Sequence, residues 1–343
     1  MNCKNDQHYF QKVATFQPHF LPMTNVALNK QAKKFISGSY DRTCKVWSVN
    51  NGKEVFSLND HKNVVCSLAF NDPFGDKILT GSFDKTARLW SAESGECYHT
   101  LWGHTAEVTT VQFNKQSTLI GTTSMDSTAR LYELTTGQQL AVLPSDGGQF
   151  IALHFDKSGK NLITGSFDGN ISIWDARNHI KIGTISGHEK EITNSIYNND
   201  CSLIASSSAD GTAKIWDVRS SKCLGTTAKL TAEMLDLTFD SKGKHLATAS
   251  SDGGAQVWDA KTLQLVSTMN GHKDPILRVC FSPKGNRLLT ASIDCTGRLW
   301  NVETGNCLQI LDGHSDSVFF SQYSNSSDLI ITASKDGVCH VWR

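Results

Sequence analysis

Short apolar runs separated by turn residues dominate the chain. Within residues 61–103 the runs are VVCSLAF (64–70), KILTGS (77–82), ARLWSA (87–92) and CYHTLW (97–102). The intervening stretches NDPFGD, FDKT and ESGE carry the Pro, Gly, Asp and Ser that favour turns. Runs of this length with alternating or β-branched residues are typical of strands. The pattern predicts four short antiparallel strands in this segment.

The same pattern recurs eight times in fixed phase. Large aromatic residues spaced by 42 or 43 residues mark the copies: Trp47, Trp90, Tyr132, Trp174, Trp216, Trp258, Trp300 and Trp342. An Asp lies six residues before each: Asp41, Asp84, Asp126, Asp168, Asp210, Asp252, Asp294 and Asp336. A Ser lies two residues before each Asp: Ser39, Ser82, Ser124, Ser166, Ser208, Ser250, Ser292 and Ser334. Further upstream, six copies carry a His, namely His19, His61, His104, His188, His272 and His314, and the other two carry Asp146 and Leu230.

Four short strands per repeat are one blade of a β-propeller. The copies resemble the WD-repeat β-propellers, whose signatures are the Gly-His dipeptides ending at residues 104, 188, 272 and 314 and the Trp-Asp dipeptides beginning at 174, 216 and 258. Eight copies predict an all-β, eight-bladed WD-repeat propeller. We expect the strand KVATF (12–16) to complete the last blade beside VCHVW (338–342), because closure removes an exposed strand edge. The predicted domains are a short tail at 1–11 and one propeller at 12–343.

The resemblance also implies a role for the repeated polar residues. In WD-repeat proteins the His, Ser, Asp and Trp of a blade form a buried hydrogen-bonded chain, and we expect the Ser hydroxyl to bridge it. The complete sets are His19-Ser39-Asp41-Trp47, His61-Ser82-Asp84-Trp90, His188-Ser208-Asp210-Trp216, His272-Ser292-Asp294-Trp300 and His314-Ser334-Asp336-Trp342. The copies with Tyr132, Asp146 and Leu230 depart from this set.

Ser, His and Asp in a fixed array also suggest a hydrolase. One such set would be an active site, whereas five near-identical sets indicate architecture. The sequence contains no G-x-S-x-G elbow, no H-E-x-x-H and no Gly-rich phosphate loop. The prediction is therefore a non-enzymatic protein without a cofactor or metal, although some propellers do carry enzymatic activity.

Composition excludes several classes of partner. Lys plus Arg is 33 and Asp plus Glu is 33, so the formal net charge is zero, which disfavours nucleic-acid binding. No apolar run approaches the length that crosses a bilayer, and the first residues lack a secretory signal. The sequence predicts a cytoplasmic, monomeric propeller with protein partners.

One turn position marks a candidate binding surface. The residue between Ser and Asp is large and apolar in Tyr40, Phe83, Met125, Phe167 and Ile293. These side chains are either interface anchors on one rim or are packed against neighbouring loops. Glu107, Glu191 and Glu233 hold matching places in three nearby loops and form either an acidic flank for a basic partner or a solvated surface.

Segments outside the repeat consensus resemble the dynein assembly factors with WD repeats, the outer row dynein assembly protein family. The segments are NDPFGDK (71–77), GSYDRTCKVW (38–47) and SAESGECYHT (91–100). The resemblance implies a ciliary adaptor that holds outer-arm axonemal dynein and links it to the intraflagellar transport particle, in cytoplasm, basal body and cilium or flagellum. Relatives carry an extra N-terminal segment that helps to form the transport contact. The alternative is a general scaffold subunit of a ubiquitin ligase or chromatin complex that reads a peptide on the propeller.

Overall fold

The computed structural model describes residues 10–343. They form 32 β-strands in eight four-stranded antiparallel sheets. Within this range no helix is long and apolar enough to cross a membrane. The predicted all-β, eight-bladed propeller is confirmed. We label the four strands of each sheet a, b, c and d from the centre of the ring outward. Each strand pairs with the next in this order, and the a strands of neighbouring blades contact one another around the centre of the ring.

The strands have the following bounds. The first strand is β1 (Lys12–Phe16). Blade 1 contains β2 (Met23–Leu28), β3 (Lys34–Ser39), β4 (Cys44–Ser48) and β5 (Glu54–Leu58), and blade 2 contains β6 (Val65–Phe70), β7 (Lys77–Ser82), β8 (Ala87–Ser91) and β9 (Cys97–Leu101). Blade 3 contains β10 (Val108–Phe113), β11 (Leu119–Ser124), β12 (Thr128–Glu133) and β13 (Gln139–Pro144), and blade 4 contains β14 (Phe150–Phe155), β15 (Asn161–Ser166), β16 (Ile171–Asp175) and β17 (Ile180–Ile185).

The second half repeats this order. Blade 5 contains β18 (Ile192–Tyr197), β19 (Leu203–Ser208), β20 (Ala213–Asp217) and β21 (Cys223–Thr226), and blade 6 contains β22 (Met234–Phe239), β23 (His245–Ser250), β24 (Ala255–Asp259) and β25 (Leu265–Met269). Blade 7 contains β26 (Ile276–Phe281), β27 (Arg287–Ser292), β28 (Gly297–Asn301) and β29 (Cys307–Leu311). Blade 8 contains β30 (Val318–Tyr323), β31 (Ile330–Ser334) and β32 (Cys339–Trp342), and β1 is its fourth strand.

The seam between β1 and β32 closes the ring. The two strands are antiparallel, with Thr15 opposite His340 and Phe16 opposite Cys339. The pairing continues beyond β1, because the backbones of Gln11 and Arg343 exchange hydrogen bonds of 2.6 and 2.9 Å. Phe10 is buried against the ring of Tyr323. Residues 10 and 11 of the predicted short tail at 1–11 thus contact the seam, and residues 1–9 lie outside the described part of the chain.

Apolar side chains fill the space between neighbouring blades. In one cluster, Ile36 and Val46 of blade 1 pack with Val65, Ile78 and Trp90 of blade 2, and all five are almost fully buried. Equivalent clusters recur around the ring. Since burial of apolar area is the main stabilising contribution, each blade depends on its neighbours for stability.

Polar side chains on the a strands add a second connection between blades. The hydroxyls of Thr109 and Thr193 donate to the carbonyl oxygens of Phe150 and Met234 in the next blade, at 2.9 and 2.7 Å. The buried carboxylate of Asp236 accepts hydrogen bonds from blades on both sides: Asn194 Nδ2 lies at 2.8 Å and the Val279 N–H at 3.0 Å. The wall of the central channel is thus held by hydrogen bonds as well as by packing.

The loops divide into two faces, because successive strands run in opposite directions. We call the face that carries the d–a loops and b–c turns the upper face. The lower face carries the a–b and c–d loops. Every b–c turn is joined to the d–a loop of its own blade by a backbone hydrogen bond of 2.9 to 3.1 Å, as between Phe83 N and Val64 O. Each b–c turn is therefore held against the d–a loop of its own blade.

Candidate partner-binding face

A chain of hydrogen bonds links the upper face to the interior of a blade. In blade 5, Nδ1 of His188 lies 2.9 Å from Oδ2 of Asp210, and Nε2 lies 2.8 Å from Oγ of Ser206. The indole N–H of Trp216 donates to the same Ser206 oxygen at 2.8 Å. The d–a loop, the b–c turn, strand b and strand c are joined by these four side chains.

The bridging hydroxyl is not the one expected from the sequence. The expected Ser39, Ser82, Ser208, Ser292 and Ser334 lie at the turn, whereas the imidazole bonds the hydroxyl two residues earlier, in Ser37, Thr80, Ser206, Thr290 and Thr332. The physical reason is the length of the relay. The indole N–H of strand c reaches the hydroxyl in the middle of strand b, whereas the turn Ser lies two residues further along the same strand.

The turn Ser has a different task. Ser208 Oγ donates to the carbonyl oxygen of Lys190 at 3.1 Å and accepts the Asp210 N–H at 3.1 Å. It therefore fastens the b–c turn to the d–a loop. Equivalent pairs of bonds occur at Ser82 and Ser292.

The relay is complete in three of the five blades for which it was expected. Blades 2 and 7 repeat the blade 5 geometry through Thr80 and Thr290. In blade 1, the buried indole N–H of Trp47 has no hydrogen-bond partner among the described residues, and the ring instead stacks on Phe35. In blade 8, Nδ1 of His314 lies 3.4 Å from Asp336 without forming a hydrogen bond.

The electrostatics of the relay are those of a buried structural network. Burial raises the pKa of Asp210, but hydrogen bonds from Thr212 and His188 outweigh burial and bring it to about 2. Burial lowers the pKa of His188, although Asp210 opposes the shift. The imidazole is neutral at physiological pH, 92% buried, and engaged through both nitrogens. Such a group has no free nitrogen to accept a proton from a substrate.

Three blades depart from the relay. Tyr132 replaces Trp, and its hydroxyl donates to the carbonyl oxygen of Trp102 at 3.0 Å. Asp146 does not take the place of the missing His, because it pairs with Lys181. Without an imidazole, Asp168 and Asp252 are exposed and accept hydrogen bonds from their own turn residues, Ser166 and Ser250.

The candidate apolar residues lie in the ring of b–c turns on the upper face. Tyr40, Phe83 and Phe167 are 52%, 38% and 40% exposed, whereas Met125 and Ile293 are half-buried. The side chains of Tyr40, Phe83 and Phe167 are therefore not buried beneath neighbouring loops. Sequence reasoning missed Phe20, which is 97% exposed on the same face beside the buried His19. No repeat position marks Phe20, so no signal in the sequence singled it out.

The candidate glutamates are joined to the same ring. The carbonyl oxygens of Glu107, Glu191 and Glu233 accept the turn N–H groups of Met125, Ala209 and Ser251 at 2.9, 3.1 and 2.9 Å. Glu107 and Glu233 are exposed and Glu191 is half-buried. None of the three carboxylates has an ion-pair partner among the described residues. In residues 10–343 there is also no group of three or more His, Cys, Asp or Glu placed to hold a metal.

Comparison with known proteins identifies the family. The model of the IFT122 first beta-propeller matches residues 22–296, and that of the WD domain, G-beta repeat, matches residues 305–343. The chain belongs to the IFT122 first beta-propeller family. In fold it resembles the crystal structure of the computationally designed Ika8 protein, with a TM-score of 0.87, 26% identity and coverage of 97% of this chain and 99% of that one.

Curated relatives carry a more specific name. The human Dynein assembly factor with WD repeat domains 1 is 61% identical over 117 residues, which cover 34% of this chain and 28% of the human protein. The mouse protein of that name is 53% identical over 75 residues, covering 22% of this chain and 18% of its own length. The resemblance to dynein assembly factors with WD repeats is confirmed. The matched segments span less than a third of each of these relatives.

Proposed function

We propose that this protein is a non-catalytic adaptor in the assembly of axonemal dynein. It binds outer-arm dynein and couples it to intraflagellar transport for delivery into cilia or flagella. The observation that carries the proposal is the 61% identity over 117 residues to a human protein named a dynein assembly factor. A rigid closed ring suits this role, because its two faces can be occupied at the same time.

The geometry supports a binding role in preference to catalysis. The His residues of the repeated sets are buried, and their ring nitrogens face the turn Asp and the strand b hydroxyl of their own blade, as at His188 and His272. The exposed groups on the upper face are apolar side chains and carboxylates instead. Exposed aromatic residues on a rigid scaffold are typical of interface anchors.

The proposed contact residues follow from this arrangement. They are Tyr40, Phe83, Met125, Phe167, Ile293, Glu107, Glu191 and Glu233. We assign dynein to this upper face and the transport particle to a different surface of the ring. The protein then acts in the cytoplasm, at the basal body and in the cilium or flagellum.

Affinity capture of the tagged protein from flagellated cells tests the proposal. We expect axonemal dynein chains and transport-particle subunits among the captured proteins. We also expect fewer outer arms per axoneme in electron micrographs after depletion of the protein. Capture of cullins or histone-modifying subunits, with normal outer arms, would instead identify a general scaffold and contradict the proposal.

A further inference from the structure

The b–c turns of the upper face differ in chemistry between blades 1 to 4 and blades 5 and 6. Blades 1 to 4 present Tyr40, Phe83, Met125 and Phe167 at the position between Ser and Asp. Blades 5 and 6 present the small residues Ala209 and Ser251 at the same position.

The small residues lie beside two of the unpaired glutamates. Ala209 is hydrogen-bonded through its backbone to Glu191, and Ser251 is hydrogen-bonded to Glu233. Ala209 and Ser251 have too little bulk to cover these carboxylates. Glu233 is exposed and Glu191 is half-buried, so both side chains retain solvent-accessible area for a positively charged group that lies across the ring.

The net charge of zero conceals a strong difference between the two faces. The upper-face loops (residues 17–22, 59–64, 102–107, 145–149, 186–191, 227–233, 270–275 and 312–317) and turns (40–43, 83–86, 125–127, 167–170, 209–212, 251–254, 293–296 and 335–338) carry 17 acidic and 7 basic residues. The lower-face loops between a and b and between c and d carry 9 acidic and 13 basic residues.

This asymmetry creates a negative potential over the upper face. Six of its acidic residues are the turn aspartates that face a His, namely Asp41, Asp84, Asp126, Asp210, Asp294 and Asp336. Burial raises the pKa of each of these carboxyls, but hydrogen bonds outweigh burial and lower it, so the side chains are ionised and contribute to the potential. Such a potential steers basic partners toward the face and disfavours acidic ones.

We infer that the upper face binds an extended segment of a partner protein that carries Lys or Arg together with bulky apolar side chains. The apolar side chains pack on Phe83 and Phe167, and the cations lie at Glu191 and Glu233. The inference rests on the proposed function for the location of the site and adds the chemistry of the segment that binds there. A nucleic acid or an acidic peptide does not satisfy this arrangement, because its charge has the same sign as the face.

Binding of synthetic peptides to the purified full chain tests the inference. The probe is a short fluorescent peptide of alternating arginine and leucine residues. One comparison peptide carries glutamate in place of arginine, and another carries serine in place of leucine. Fluorescence anisotropy should show that each replacement weakens binding at least about tenfold. Binding of the arginine and leucine peptide should also weaken as ionic strength rises, because salt screens the charges.

Matched variants locate the binding. The Glu191→Gln and Glu233→Gln double variant should weaken binding of the arginine and leucine peptide by about tenfold. The control is the Glu93→Gln and Glu303→Gln double variant, which removes two exposed glutamates from the lower face and should bind as the parent does. Equal loss in both variants, or equal binding of all three peptides, would overturn the inference. The inference would also be overturned if the parent chain dimerises and the Phe83→Ser and Phe167→Ser changes abolish the dimer. A second copy of the chain would then occupy the upper face.

These outcomes are separable from those of the proposed function. If dynein chains are captured but the peptide carrying glutamate binds as well as the one carrying arginine, the adaptor role stands and the inference fails. If the basic peptide binds at Glu191 and Glu233 but no dynein chain is captured, the inference stands and the adaptor role fails.

Discussion

The imidazole rings of His314 and His340 lie 4.1 Å apart, centroid to centroid, inside blade 8. His340 contacts both sides of the seam, because Nδ1 lies 3.1 Å from Oγ1 of Thr15 on β1 and Nε2 lies 3.2 Å from the carbonyl oxygen of Gly313. Lys12 of β1 adds a positive charge near the pair, and Asp336 is the nearby carboxylate. The group of residues that closes the ring thus contains two neutral imidazoles that resist protonation.

Stability should therefore fall on acidification. Burial, together with the neighbouring His340, lowers the pKa of His314 to about 4, and burial also lowers the pKa of His340. An unfolded His titrates near pH ~6.5, so below that pH the unfolded chain binds protons that the folded chain does not. The free energy of unfolding should decline as the pH falls from about 6.5 toward 4.

Urea unfolding across this pH range measures the decline. His340→Gln is the informative variant, because Gln256 occupies the equivalent position in blade 6. The variant should show a shallower pH dependence than the parent between pH ~6.5 and 4, because one titrating group is removed. If the free energy of unfolding of the variant depends on pH as steeply as that of the parent, protonation of His340 does not contribute to the pH dependence of stability.

The corrected relay predicts unequal effects of the same substitution in two blades. Oγ1 of Thr290 serves both His272 and Trp300, at 2.7 and 2.9 Å, whereas Oγ1 of Thr248 serves only Trp258 among these ring groups, at 3.2 Å. Thr290→Val leaves two buried ring nitrogens unsatisfied, and Thr248→Val leaves one. Thr290→Val should be more destabilising than Thr248→Val by about 1–3 kcal/mol. Equal losses in chemical denaturation would contradict the relay.

Closure of the ring predicts a strong dependence on one side chain of β1. Phe16 is 3% exposed and packs edge to face against Phe35 and Trp47, with ring centroids 5.2 and 5.9 Å away. Phe16→Ala should lower the free energy of unfolding by about 3–5 kcal/mol, because it opens a cavity in the seam. Val13 on the same strand is 54% exposed.

Val13→Ala is the control for that experiment. It should change stability by no more than about 0.5 kcal/mol, since the side chain is largely in solvent. Calorimetry of both variants gives the comparison. If Phe16→Ala melts as the parent does, β1 is not what holds blade 8 closed.

The sequence predicts the fold well because the same pattern of four strands occurs in eight copies, so each copy supports the assignment of the others. In blade 2, the predicted strand 77–82 has the observed bounds of β7, and the other three differ by one residue at one end. The bridging hydroxyl was missed although a signal existed. A Ser or Thr lies four residues before the repeated Asp in every copy, as at Ser37, Thr80 and Ser206. Both hydroxyls of each blade lie on the same side of strand b, and only the reach of the indole distinguishes them.

Other features have no repeat signal. The bonds of Asp236 to Asn194 and Val279 join three different blades through a carboxylate that no other copy carries at that position. The net charge of zero does not reveal the charge difference between the two faces. That difference appears only when each loop is assigned to the upper or lower face from the direction of its strands. Exposure of Phe20 depends on the local path of one loop.

Capture of axonemal dynein by two matched double variants tests the central claim most directly. Phe83→Ser with Phe167→Ser removes two of the exposed aromatic side chains of the upper face, and Ile180→Ser with Ile182→Ser removes two side chains of 56% and 57% exposure from the outer strand β17. We predict that the first variant loses dynein while keeping the melting temperature of the parent, and that the second captures dynein normally. Retention of dynein by the first variant, or loss in the second alone, would contradict the assignment of the upper face as the dynein-binding surface.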